Sequence, residues 1–217
     1  MWERHATEAY FNVTPVESTW TEKEKRDHLG FFNRYGSEIV AIHEALPGHY
    51  YQFLALQKGP SRLRQVFGAG TNTEGWAHYC EQMMVEQGYG EGDPRCQLAQ
   101  LSQALNRIGR LIVGISLHTR GMTYEDAVRL FEEQCYMAPV NAAREARRGT
   151  LDPTYLVYTL GKWRILELRE EVRRALGPRF RLRVFHDAFL RQGSSPLPIV
   201  RAALLHELKI EGGEKGP

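Results

Sequence analysis

The chain has 217 residues, of which 42% are hydrophobic, 25% charged and 11% aromatic, and its 28 basic and 26 acidic side chains leave a formal net charge of +2. This composition excludes a disordered chain, because it supports a sizeable core. It also excludes a membrane-spanning helix, because apolar runs such as residues 111–117 fall far short of the ~18–20 that a bilayer requires. Near-balanced charge without a dense basic stripe argues against nucleic acid as a partner.

Residues 1–36 read as an irregular N-terminal segment. Within it, residues 9–14 alternate well enough for a short edge strand stopped by Pro15, and residues 21–30 predict a charged helical turn or two. From Ser37 the pattern turns helical. Ile39, Ile42, Ala45 and Leu46 recur at three and four residues, and Tyr51, Leu54 and Ala55 take over after Pro47-Gly48. A helix over 73–87 follows, with Thr73 as N-cap and Gly88 as stop. Residues 98–119 are long, apolar and central. Residues 123–135 open on Thr123 and Asp126 at capping-box spacing. Helices over 139–148, 154–176, 182–192 and 196–208 complete a mainly α domain with a helical core at 37–208 and a tail at 209–217. Trp76 and Trp163 are assigned to the core. The basic clusters at 144–148 and 179–183 are assigned to solvated helix faces.

Cys80, Cys96 and Cys135 have no metal-ligand spacing and leave one thiol unpaired, a pattern that fits a reducing compartment. The opening Met1-Trp2-Glu3-Arg4-His5 is polar and does not resemble a secretory leader. Together these features place the chain in the cytoplasm.

Chemistry concentrates at His43-Glu44-Ala45-Leu46-Pro47-Gly48-His49. In zinc hydrolases of the His-Glu-x-x-His type, two histidines one turn apart bind the metal and the adjacent Glu is the base toward a metal-activated water. Here the second histidine follows after six residues, which on a regular helix puts the rings about 120° apart and ~9 Å apart along the axis. Pro47 breaks the ladder and Gly48 tolerates dihedrals that a side chain disfavours, so an irregular turn can swing His49 back toward His43. A third ligand is available from Glu74, His78 and Glu81, which share one helix face at i, i+4 and i+7. Glu74 completes a two-His, one-Glu set, with His78 as its rival. Glu81 is placed to accept a ligand N–H. Arg107 and Arg110, on the long helix, are candidates for holding a substrate carboxylate.

Four stretches in order resemble a known family. They are His43 to Gln52, Glu74-Gly75-Trp76-Ala77 with Tyr79 and Glu81, Asp152-Pro153-Thr154-Tyr155 with Tyr158 and Gly161-Lys162, and Phe185-His186-Asp187 followed by Gly193-Ser194 and Pro196-Leu197-Pro198. They look like the signature of the bacterial "domain of unknown function 885" family, over nearly the whole chain. The family is regarded as zinc metallopeptidases of the gluzincin type, mostly helical, and this chain resembles its C-terminal half. The resemblance implies one Zn2+ held by His43, His49 and Glu74, with Glu44 as general base. It further implies Tyr155 or Tyr158 as donor to the tetrahedral oxyanion, and His118 as a site-lining residue. The expected function is hydrolysis of peptide (amide) bonds, with the 9–14 strand presenting its edge to an extended substrate. The alternatives are a non-catalytic metal-binding helical module, or a half-enzyme that works as a homodimer or with a missing N-terminal half.

Overall fold

Short-range signals set several helix starts. At Thr21 the backbone N–H donates to Glu24 Oε2 (2.8 Å) while the Glu24 N–H donates to Thr21 Oγ1 (3.2 Å), a complete capping box opening α1 (Glu22–Phe31). Thr123 and Asp126 do the same for α7 (Tyr124–Glu133). The longest helix, α6 (Pro94–Thr119), starts on Pro at its first position, with Asp93 accepting from the Arg95 N–H.

The computed structural model describes residues 10–59 and 61–210. The other helices among them are α2 (Arg34–Glu44), α3 (His49–Leu56), α4 (Arg62–Val66), α5 (Gly70–Glu86), α8 (Pro139–Leu151), α9 (Val157–Leu176), α10 (Leu182–Arg191) and α11 (Leu197–Glu207). The chain is all-α, with no strand among the described residues.

That corrects the edge strand. Ala9 lies outside the described residues, and residues 10–14 are irregular. An isolated strand has no ladder to join, and the segment is held instead by His28, whose Nε2 donates to Thr14 O at 3.2 Å. The N-cap at Thr73 is also corrected. Helix α5 begins at Gly70 without a side-chain cap, and the Ala69 N–H before it donates to Ser194 O at 2.8 Å. A tertiary hydrogen bond does the work that the sequence assigned to a local one.

Two apolar clusters flank the centre. The larger gathers Ile39 and Ile42 of α2, Trp76, Tyr79 and Met83 of α5, Ile165 and Leu168 of α9, and Phe185, Phe189, Val200 and Leu204 of α10 and α11. The smaller joins Val113 of α6 to Phe131, Ala142, Ala146 and Tyr155. Each fully buried phenylalanine contributes about 1.5–3 kcal/mol. Trp76 belongs to the first cluster, but Trp163 is 55% exposed and is not core. All three cysteines are free and buried.

Helices α5 and α9 cross at backbone contact. A Cβ on Gly161 would lie 2.0 Å from Thr71 O and 2.7 Å from Gly75 Cα, so only glycine permits the approach. This crossing fixes the start of α9, where Tyr158 sits, against the carboxylate-bearing face of α5.

Candidate metal centre

Helix α2 stops at Glu44 and α3 starts at His49, with an elbow between them that contains the cis Leu46–Pro47 peptide. The Gly48 N–H reaches back to Ile42 O at 3.0 Å. Gly48 combines φ −72° with ψ −132°, outside the ordinary helical and extended regions, as the sequence predicts, and the steric reason for glycine is direct. A Cβ there would sit 1.8 Å from His43 O, and close approach is what demands its absence. Pro47 O in turn accepts from Trp76 Nε1 (3.0 Å) and Cys80 Sγ (3.6 Å), which latches the elbow onto α5.

The elbow turns the two histidines toward each other. Their ring centroids are 4.7 Å apart at 87°, and both Nε2 atoms lie 3.3 Å from one oxygen, Glu74 Oε2. One ligand atom from each of His43, His49 and Glu74 falls within 4.8 Å of the others. Tetrahedral zinc with ligand bonds near 2.0–2.2 Å places its donors ~3.4 Å apart, so two imidazoles and a carboxylate at these separations fit a zinc ion.

Behind them lies Glu81, fully buried. It accepts from His43 Nδ1 (2.7 Å), from His78 Nδ1 (3.1 Å) and from Arg107 (3.0 Å). A proton on His43 Nδ1 leaves the Nε2 lone pair facing Glu74, the tautomer that a metal ligand needs. His49 has no such anchor, since its buried Nδ1 lacks a partner among the described residues; stacking on Phe53 orients that ring instead.

Electrostatics concentrate negative charge here. Burial alone would raise the Glu74 and Glu81 carboxyls, yet both are held well below the usual carboxylate range, Glu74 by His43 and His49 and Glu81 by Arg107 and the two histidines it faces. Burial would lower His43, but hydrogen bonds to Glu74 and Glu81 raise it. The cluster therefore favours positive charge between its carboxylates. His78 is pushed down to about 4, chiefly by burial, and stays neutral as a support for Glu81.

The cluster forms the floor of a cavity of about 1230 Å³ that also takes in Glu44, Gln103, Asn106, Arg107, Arg110, Glu145, Arg148 and Tyr158. Glu44 is exposed to it. Tyr158 stacks near His43, centroids 6.4 Å apart. Of the two candidate tyrosines, only Tyr158 is in place. Tyr155 is fully buried and donates to Glu145 O at 3.0 Å, and it does not line the cavity. Its ring fills the smaller apolar cluster, so its role is packing. His118 is corrected as well: it is exposed, with Nε2 donating to Gly149 O at 2.9 Å, away from the cavity. Arg107 and Arg110 both reach the wall, but Arg107 is committed to Glu81 and Arg110 to Glu145 through two bonds of 2.7 and 2.6 Å.

Sequence reasoning missed Glu145 and Arg148, which it read as part of a solvated helix face. They line the cavity because α8 packs on α6 through Ala142 and Ala146. The spacing of those alanines with Glu145 and Arg148 was the available signal.

Fold and site define an all-α protein with a two-histidine, one-carboxylate cluster at the base of a cleft. The chain belongs to the family described as "Bacterial protein of unknown function (DUF885)", whose model matches residues 3–204. No curated protein matches it. Among solved structures it is similar to one described as "a putative lipoprotein of unknown function from Shewanella oneidensis" (36% identity, TM-score 0.82), covering 90% of this chain and 36% of that one. It is also similar to "the putative lipoprotein from Colwellia psychrerythraea" (34% identity, TM-score 0.78), covering 82% of this chain and 31% of that one. The chain thus spans about a third of the length of either relative.

These relatives overturn the cytoplasmic location, since a lipoprotein description points to a secreted or membrane-anchored protein. The cysteine argument failed because Cys80, Cys96 and Cys135 are each buried in packing, so their reduced state reflects the fold and not the compartment. No helix among the described residues is long and apolar enough to cross a membrane.

Proposed function

We propose that this chain carries the metal centre of a zinc-dependent hydrolase of peptide-like amide bonds. The observation that carries the reading is the convergence of His43 Nε2 and His49 Nε2 on Glu74 Oε2, 3.3 Å each, at the floor of an open cavity. His43, His49 and Glu74 hold the ion, and zinc bound there supplies Lewis acidity that polarises a carbonyl and acidifies water.

The chain's own residues do the rest. Glu44, on the cavity wall beside His43, takes a proton from the attacking water and returns it to the leaving amine. Tyr158 donates its phenolic hydrogen to the oxygen on which charge develops. Arg148 donates to the Tyr158 oxygen at 3.5 Å, which leaves the phenol's own hydrogen for that task. Glu81 fixes the His43 ring, and Arg107 and His78 fix Glu81.

A second reading is a half-enzyme. Leu98, Leu101, Ile108 and Ile112 form an exposed apolar stripe on α6, and the match covers only about a third of each relative. On that reading zinc binds here while turnover needs a second copy or a further segment over the stripe.

Elemental analysis of the purified chain should find about one zinc per chain, lost in His43→Ala and Glu74→Ala. Glu44→Gln should keep the zinc and abolish hydrolysis. Zinc retained in both ligand variants would overturn the assignment. Stoichiometric zinc without hydrolysis would favour the half-enzyme.

A further inference from the structure

The cavity's charges pair off and leave a remainder. Glu81 takes Arg107, Glu145 takes Arg110, and Glu74 faces the two histidines. What remains is Glu44, assigned to proton transfer, and Arg148. The nearest carboxylate to Arg148 among the described residues is Asp152, at 3.8 Å, beyond hydrogen-bonding distance. That carboxylate is itself engaged by the Thr154 backbone and hydroxyl. The Arg148 side chain is 50% exposed, lines the cavity and lies over the Tyr155 ring at 5.4 Å. A half-exposed guanidinium over an aromatic ring at a cavity wall, with no carboxylate among the described residues in hydrogen-bond reach, is available to a carboxylate ligand.

We propose that Arg148 docks the C-terminal carboxylate of a peptide, so that the site works from the carboxyl end of its substrate. The cleavage part rests on the hydrolase reading; the docking part does not. Arg148 lies 3.5 Å from the Tyr158 hydroxyl, and the Tyr158 ring lies 6.4 Å from that of His43. With the length of a phenol added, the guanidinium is at most about 13 Å from the His43 ring, which an extended peptide at about 3.5 Å per residue crosses in fewer than four residues. The product released is therefore one to three residues long. Arg110 sits beside this point but is neutralised by Glu145, so it shapes the wall and leaves anion binding to Arg148.

The test is equilibrium dialysis of the full Glu44→Gln chain against a randomised pool of N-acetylated tripeptides, supplied as free acids or as C-terminal amides. Free acids should be retained at least ten-fold more than amides. Adding Arg148→Gln should bring the two forms within two-fold, and Arg148→Lys should restore part of the preference. Equal retention of the two forms, or retention of neither, overturns the proposal, whatever the fold of the Arg148 variants. Preference for acids in a chain that binds no zinc would sink the hydrolase reading and leave this one standing. Zinc-dependent hydrolysis with no preference would do the reverse.

Discussion

Glu74 and Glu81 lie two turns apart on one face of α5, and a sequence treats them alike. The structure does not. Glu74 keeps its carboxylate at the cavity, with two imidazole nitrogens 3.3 Å from it. Glu81 is sealed behind it, saturated by two histidines and an arginine. The difference lies in the neighbouring helix. Opposite Glu81, α6 supplies Arg107, whose charge compensates a buried carboxylate. Opposite Glu74 the wall opens into the cavity, and its compensation comes from the imidazoles of His43 and His49. One acid is structural and holds the cluster together; the other faces the cavity.

The largest test of that contrast is stability. Glu81→Ala leaves Arg107 buried without a counter-charge and should cost about 3–5 kcal/mol in urea unfolding. Glu74→Ala in metal-free protein should cost about 1 kcal/mol, the usual worth of a hydrogen bond near solvent. Equal losses would break the distinction.

Metal linkage is the next largest effect. Zinc at 100 times its dissociation constant should stabilise the wild type by about 2.7 kcal/mol. Glu74→Ala should gain nothing from it. A wild-type chain whose unfolding midpoint ignores zinc would remove the centre altogether.

A pH effect sharpens the comparison from the other side of α5. There Tyr79 donates to His186 Nε2 at 2.8 Å at the edge of the larger apolar cluster, and burial pushes His186 down to about 4. The unfolded chain takes up that proton near 6.5 and the folded chain does not. Stability from His186 is therefore complete above pH 6.5 and lost as the pH falls toward 4, at about 1.4 kcal/mol per unit. His186→Gln should flatten the acid limb of the urea midpoint against pH by that slope. An unchanged limb would mean that the imidazole is solvated.

Most helices were legible because α1 and α7 carry capping boxes and the rest carry apolar periodicity bounded by glycine or proline. Helix α4, five residues long, is too short for periodicity to register. The start of α5 was hidden because Ser194, more than a hundred residues away, anchors it. At the site, His43, His49 and Glu74 could be read from one elbow and one helix face. Tyr155 and Tyr158 could not be told apart, since three residues separate them and only the packing of α8 against α6 decides which ring is core. Arg148 and Glu145 were lost for a related reason. A charged helix face looks solvated until the cavity it borders is known.

The latch between Pro47 and Trp76 has a consequence for the order of assembly. The elbow, its latch and both carboxylates all come from residues 43–81, so the two-histidine, one-carboxylate cluster and its supports, Arg107 excepted, are contiguous on an emerging chain. Tyr158 and Arg148 arrive only with α8 and α9, through contacts of long sequence separation that close slowly. During synthesis the side chains of the cluster are all available before the α8–α9 wall of the cavity exists. A nascent chain can therefore assemble the cluster while the cavity above it is still unmade.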